Sequence, residues 1–454
     1  MAVACVLALM ASACGSRVSD DKLADGGLGG QPTATATTAP SGGDGPMFGT
    51  LSSPCGPAPA GFDASASKET GVSADKIKIG VISDRSGPVK LPTVSIDESV
   101  QAFVAYCNGL GGINGRKLDL VTYDSKLFDG LASAKQACND NLFALVGSGV
   151  VFDDLGAQAI IDCGLVEVPA YTATSTKSGA DRLVQPLPNP TYTFPTGAAQ
   201  YLASKYPEAI KKTGAISSSQ VSTAWDQLRR LKEAWTKVGY DFVYTGDTAT
   251  LQESYAAEAL NMKKKGVEAV TMVSATSETV KLLRDMKDQG FTPKFVLLGA
   301  QYYDPELLGE PASEGVYVEM NTVPFEEADD VPAMKQFVDA YAKVKTDVQA
   351  TSLGVQAFSA GLLFATAAKA AGPDLTRDNL LDELHKIHEW DGGGLHMKGN
   401  PGDNERAVCY LVMRVEGGKF VREAPAEPGT FECDSKQQVE LTGDYGTGAK
   451  ASTP

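Results

Sequence analysis

Histidine is scarce in this chain: His385, His388 and His396 are the only three among 454 residues. That scarcity removes most routes to an imidazole metal site or a catalytic triad. His385 and His388 share a helix face, where they read as a solvated helix end rather than half a metal site. No Cys-x-x-Cys pair occurs, so zinc lacks a thiolate clamp. The absence of G-x-S-x-G excludes a nucleophile elbow, and that of G-x-x-x-x-G-K-[ST] excludes an ATPase phosphate loop. Nothing in the composition asks for a cofactor. Basic residues are outnumbered, 40 against 56 acidic, and the net charge of −16 repels phosphate backbones, which excludes nucleic acid as a partner. Beyond the N-terminus, no stretch reads as long and apolar enough to span a bilayer.

What is present begins with a targeting pattern. Met1 to Ala13 is apolar and ends in Ala11-Ser12-Ala13 ahead of Cys14 and Gly15. Small residues before a cysteine resemble a bacterial lipoprotein signal, with residues 1–13 removed and Cys14 lipidated. The alternative is an ordinary cleaved signal that leaves Cys14 a bystander. No Lys or Arg precedes the apolar run, a departure from signal peptides that leaves room for a start upstream of Met1. Residues 14–70 are rich in Gly, Ser, Thr, Ala and Pro and read as a flexible linker from a lipid anchor. Residues 440–454 read as a disordered tail. Six further cysteines, an even number in an exported chain, indicate disulfides. Cys409 and Cys433 flank a strand-turn-strand and form one candidate pair. Cys107 ends the first helix and Cys138 sits in the second, a candidate pair on one sheet face. Cys55 lies in the linker, with Cys163 either its partner or a buried thiol.

Residues 77–124 carry the fold signal. Ile77, Ile79 and Val81 alternate as a strand, Ser86-Gly87-Pro88 turns, Ser95 to Asn108 is helical, and Leu118 to Tyr123 is a second strand. This is a βαβ unit, and the alternation continues along the chain, so the fold class is α/β with parallel sheets. The string IKIGVISDRSGPV…GGINGRKLDLVTYDS resembles the type I periplasmic binding proteins that serve ABC importers, in the branched-chain amino-acid branch. The resemblance runs at lower similarity to about residue 430. It implies two Rossmann-like lobes, 75–197 plus 323–398 and 198–322 plus 405–435, joined by a hinge crossed near 194–198, 320–325 and 395–405. An Asp391-Gly392-Gly393-Gly394 turn is expected to open a hairpin of 394–398 with 407–412.

Ligands of open α/β sheets lie beyond the carboxyl ends of strands. Six loops answer that description: 84–91, 148–153, 172–176, 218–223, 274–278 and 300–304. They supply the candidate ligand residues Arg85, Ser86, Ser148, Thr172, Ala173, Thr174, Thr223 and Thr276, whose hydroxyls and backbone N–H groups suit carboxylates or carbonyls. Each hydroxyl could equally be a helix cap. Trp225, Tyr302 and Tyr303 offer aromatic faces or are packing residues. In the resembled family the Ala173-Thr174 loop grips the ligand carboxylate. Three positions depart from that pattern: a carboxylate-holding serine is replaced by Val151, an acid that pairs with the α-ammonium by Gln301, and a ligand-facing aromatic by Pro92. A buried ammonium without a carboxylate is strongly disfavoured. The resemblance therefore implies a non-enzymatic, exported and lipid-anchored monomer on the outer face of the cell membrane. It would deliver a small polar ligand (amino-acid-like, amide or carboxylate) to an ABC permease, and bind leucine, isoleucine and valine weakly or not at all. A ligand sensor on the same fold and an exported enzyme are the alternatives.

Overall fold

A computed structural model describes residues 45–87, 91, 93–344 and 346–451. Residues 1–13, Cys14, Pro88 and Pro92 lie outside the described residues. The first sheet has four parallel strands in the order Lys117–Asp124, Lys76–Ser83, Ala144–Val146, Val166–Val168. The period-two pattern of Lys76–Ser83 sends Ile77, Ile79 and Val81 to one face and Ile82 to the other. Helices Val94–Leu110 and Ser352–Ala370 cover the first face. They approach closely because small residues line the contact: a Cβ at Gly361 would lie 2.3 Å from the Phe103 ring. The Gly111–Gly115 turn that leads into Lys117–Asp124 needs its glycines, since Gly112 has φ 88° and a Cβ there would sit 2.1 Å from Arg116 O.

Helix Ser352–Ala370 corrects one expectation. With 19 residues and a mean hydropathy of 1.2 it is long and apolar enough to cross a membrane by length and composition. Its apolar stretch is 78% buried within the protein, so its hydrophobicity is that of a core helix enclosed on all sides.

The second sheet runs Lys419–Ala424, Cys409–Glu416, Tyr317–Met320, Phe295–Leu298, Ala269–Val273, Thr213–Ser217, Phe242–Asp247. The last five are mutually parallel, and the first two are antiparallel additions. The hairpin differs from expectation. Cys409–Glu416 pairs with Lys419–Ala424 through Gly417-Gly418, both at positive φ, whereas residues 394–398 contribute only an isolated bridge from His396 to Thr322. A Gly-Gly turn between adjacent strands closes a shorter loop than the one from Gly394. Two lobes result, joined by a hinge crossed three times. Two crossings run side by side, with Val323 N–H donating to Leu395 O (2.9 Å) and Met397 N–H to Asn321 O (3.1 Å). At the other, Thr193–Pro195 pairs antiparallel with Gln438–Glu440.

Both ends of the described chain are more ordered than their composition suggests. Within the expected linker, Phe48 is fully buried and stacks 5.3 Å from Phe358. Arg116 donates to Ala64 O (2.9 Å) beneath Phe62, and Ser67 Oγ donates to Leu375 O (2.6 Å). The tail likewise packs. Thr442, Gly443 and Tyr445 donate to the Glu233 carboxylate, and Ala449 N–H donates to Thr176 O (2.9 Å). Burial works against the Glu233 charge, but Lys237 and these donors hold its pKa well below the usual carboxylate range. One or two anchoring side chains outweigh the local composition in each segment.

Three disulfides form: Cys55–Cys107, Cys138–Cys163 and Cys409–Cys433. The third agrees with expectation; a Cys107–Cys138 bond does not form. Cys107 belongs to the core on the Ile77–Ile79 face, while Cys138 packs with Cys163 on the Ile82 face. The two helices therefore flank the sheet from opposite sides.

Candidate ligand-binding site

A cavity of about 580 Å³ lies between the lobes, where the parallel strands of both sheets end. From the first lobe come Val151, Phe152, Thr172 and Ala173, and from the second Thr223, Ser274, Thr276, Gln301, Glu319 and Met320. Leu127 and Phe128 overhang it from the loop after Lys117–Asp124, where Lys126 and Leu127 take positive φ. Phe128 stacks on Phe152 at 5.4 Å. One arm of the cavity enters the second lobe between its sheet and helix Ser222–Lys237, past the otherwise buried Leu231, Trp235, Phe194 and Leu297.

The first-lobe rim has already committed its donors. Asp84 accepts Leu127 N–H (2.9 Å), Val151 N–H (2.8 Å) and the Ser125 hydroxyl. Away from the cavity, at a separate open depression, Asp124 accepts Arg85 N–H (3.0 Å), Ser86 N–H (3.2 Å) and Ser86 Oγ–H (2.6 Å). Asp153 accepts Ala173 N–H (2.6 Å), Thr174 N–H (3.2 Å) and Thr174 Oγ–H (2.6 Å). Burial pushes Asp153 up to about 6, and the Ala173 and Thr174 donors oppose that, so it is largely ionised at neutral pH.

Residues 76–419 match the family model described as periplasmic binding protein. The chain belongs to that family. Its relatives include a Leu/Ile/Val/Thr-binding protein of Salmonella typhimurium, 26% identical over 299 residues, which span 64% of this chain and 80% of that protein. Among solved structures, a leucine-binding protein from Thermotoga maritima is similar at TM-score 0.66 and 18% identity, covering 77% of this chain and 98% of that one. A fatty acid ABC transporter substrate-binding protein from Thermomonospora curvata is similar at TM-score 0.64 and 21% identity, covering 85% of this chain and 97% of that one. This chain is thus a periplasmic binding protein with the type I fold, an exported solute-binding protein and not an enzyme.

In this periplasmic binding protein Val151, Thr172, Ala173, Thr223, Thr276 and Gln301 line the inter-lobe cavity. Thr172 Oγ–H donates to Gln185 Oε1 (2.9 Å), while Thr276 Oγ1 is buried without a protein partner. The other candidates do not line it. Arg85 and Ser86 border a separate open depression, where Arg85 pairs with Asp97 at 2.8 Å. Ser148 Oγ accepts Ile82 N–H (3.1 Å) inside the first lobe. Thr174 caps helix Ser175–Ser178 and gives its hydroxyl to Asp153. Trp225 packs against the helix side of the second lobe. Tyr302 is fully buried, its hydroxyl donating to Met272 O and Ser274 O at 3.0 Å and accepting Ser274 N–H at 2.8 Å. Tyr303 is likewise held by Glu326 and by Phe325 N–H.

Sequence reasoning missed the loop with Leu127 and Phe128, although it follows a strand's carboxyl end as the six named loops do. It also missed Glu319 and Arg406, both cavity-lining. Glu319 left a trace: a lone acid in the apolar strand Tyr317–Met320. Burial pushes its pKa up to about 7, with Arg406 opposing. Arg406 gave no local signal, because what places it is the third hinge crossing.

Proposed function

We propose that this protein is the solute-binding component of an ABC importer, held outside the cell membrane by lipid on Cys14. Its lobes, 75–197 plus 323–398 and 198–322 plus 405–435, close over a ligand, and the closed monomer presents that ligand to a membrane permease. The ligand has a substantial apolar body and is not a free branched-chain amino acid.

One observation carries the ligand reading: Asp153 occupies the Ala173 and Thr174 donors that would otherwise grip an α-carboxylate. Val151 adds no hydroxyl and Gln301 no charge for an ammonium. The Salmonella relative is named for small amino acids and the Thermomonospora neighbour for fatty acid. A volume of about 580 Å³ lies within the range that takes drug-sized molecules, and the Leu127, Phe128 and Phe152 rim favours an apolar body. Losing one partner of a buried charge pair costs on the order of 3–5 kcal/mol, roughly two to four orders of magnitude in affinity.

Calorimetry with leucine, isoleucine and valine tests this. No binding is expected below millimolar concentration, and micromolar or tighter binding would overturn it. For the anchor, Cys14→Ala is expected to shift the protein from the membrane to the soluble fraction; retention in the membrane counts against lipid at Cys14.

A further inference from the structure

The cavity-lining charges are unevenly distributed. Glu278, Glu319 and Arg406 are the charged side chains on its wall among the described residues. Glu278 is already engaged by Tyr255 (2.7 Å) and Lys281 (3.0 Å). Arg406 is therefore the one cation facing the cavity among the described residues, and no salt bridge there neutralises it. One of its Nη atoms donates to Asn189 Oδ1 and Pro190 O, which fixes the guanidinium, but its Nε–H is buried without a partner. The neighbouring Arg230 donates to Ala173 O (2.9 Å) and Gln227 Oε1 (2.9 Å) and leaves one Nη buried and unpartnered. Burial lowers the pKa of Arg406, and the nearby charge of Arg230, which does not line the cavity, lowers it further. On the first-lobe wall, Asp84 and Asp153, set behind the lining, have already taken the Val151 and Ala173 N–H donors. A ligand anion finds those backbone donors occupied and is attracted to Arg406.

We propose that the ligand is a carboxylic acid on an extended apolar chain, with the acid held between Arg406 and Glu319 and the chain running past Leu231 and Trp235 toward Phe128. This deepens, and rests on, the reading of the cavity as the binding site of an apolar-bodied solute. The Arg406 Nε–H supplies a charge-assisted donor to the ligand carboxylate. Glu319 then faces an anion and takes one proton from solvent, so the two carboxyls share a single proton (Glu319 donating, the ligand accepting). The groups that face Glu319 are Arg406 on the cationic side and Tyr240, neutral at physiological pH, while Arg230 and Tyr192 act on Arg406. Burial pushes the Glu319 carboxyl up to about 7, so the acid ligand is expected to bind about tenfold less tightly per pH unit above that value. Asp153 is the other buried carboxyl whose titration, at about 6, approaches that range, and it must be controlled for.

Decanoate, hexadecanoate and methyl decanoate are the probes, with calorimetry in phosphate and in Tris to read proton uptake. Above the Glu319 pKa, at about pH 8, the wild type is expected to bind the acids with uptake of nearly one proton and the ester without it. Glu319→Gln, which keeps size and hydrogen bonding, should bind decanoate at least as tightly with no uptake. Asp153→Asn should leave the uptake in place. Arg406→Gln should weaken the acids about ten- to a hundredfold, the loss of a charge-assisted hydrogen bond, and spare the ester. Equal loss of acid and ester in Arg406→Gln, with uptake persisting in Glu319→Gln, overturns the acid site while leaving the apolar-solute reading intact. Failure of all three probes to bind the wild type overturns this proposal, whereas binding of another large apolar solute would preserve that reading.

Discussion

Asp84, Asp124 and Asp153 act as resident ligands of the first-lobe loops. Each carboxylate collects three or four backbone or hydroxyl donors that a strand end leaves unpaired. The rim is thereby ordered before any solute arrives, and it loses the donors a solute acid would need. His396 shows a different side of burial. Its Nδ1 donates to Met397 O (2.8 Å), and its Nε2 meets the Ser359 hydroxyl (2.8 Å), which also accepts Trp390 Nε1–H (2.9 Å). Burial holds its pKa down to about 4, so the folded protein keeps it neutral where the unfolded chain would protonate it near 6.5. Its contribution is present above pH 6.5 and is lost as pH falls through about 4, with a full swing of about 3 kcal/mol. In urea titrations, the stability gap between wild type and His396→Gln is expected to shrink steadily as pH falls from neutral toward 4. A gap constant across that window would contradict this.

At the scale of elements, periodicity made the strands and helices legible because apolar alternation is a local property. Ile77, Ile79 and Val81 declare a strand whatever surrounds them. Contacts between distant segments left no such trace. Phe48 looks like an isolated aromatic in a Gly- and Ser-rich run, and only the Phe358 ring far along the chain explains its burial. Disulfide pairing depended on which sheet face each helix took, and spacing alone does not encode that. The site was half legible for the same reason: loops after strands could be found, whereas the helix-side arm with Trp235 and Arg406 depends on packing between remote elements. The Cys55–Cys107 bond closes a loop with a sequence separation of 52 and fastens the segment carrying Phe48. By loop-closure entropy its removal costs about 4 kcal/mol. Cys55→Ala with Cys107→Ala should lower the denaturation midpoint accordingly and expose residues 45–70 to proteolysis. An unchanged midpoint would mean that Phe48 and its neighbours hold the segment unaided.

At the scale of the whole molecule, the hinge is not the only connection between lobes. After pairing with Thr193–Pro195, the chain grips Glu233 on a second-lobe helix and then reaches the first lobe, where Ala449 meets Thr176 and Lys450 pairs with Asp181 (3.0 Å). Truncation after Glu440 is expected to enlarge the radius of gyration of the ligand-free protein in small-angle scattering and to speed ligand release. Identical scattering and release rates in both forms would deny the tail any hold on the lobes. On that expectation the tail is a leash: solute exchange would be partly an unzipping event, in which the bonds to Glu233, Thr176 and Asp181 part before the lobes separate, and the dwell time of a captured molecule would depend on the last residues of the chain as well as on the walls that touch it.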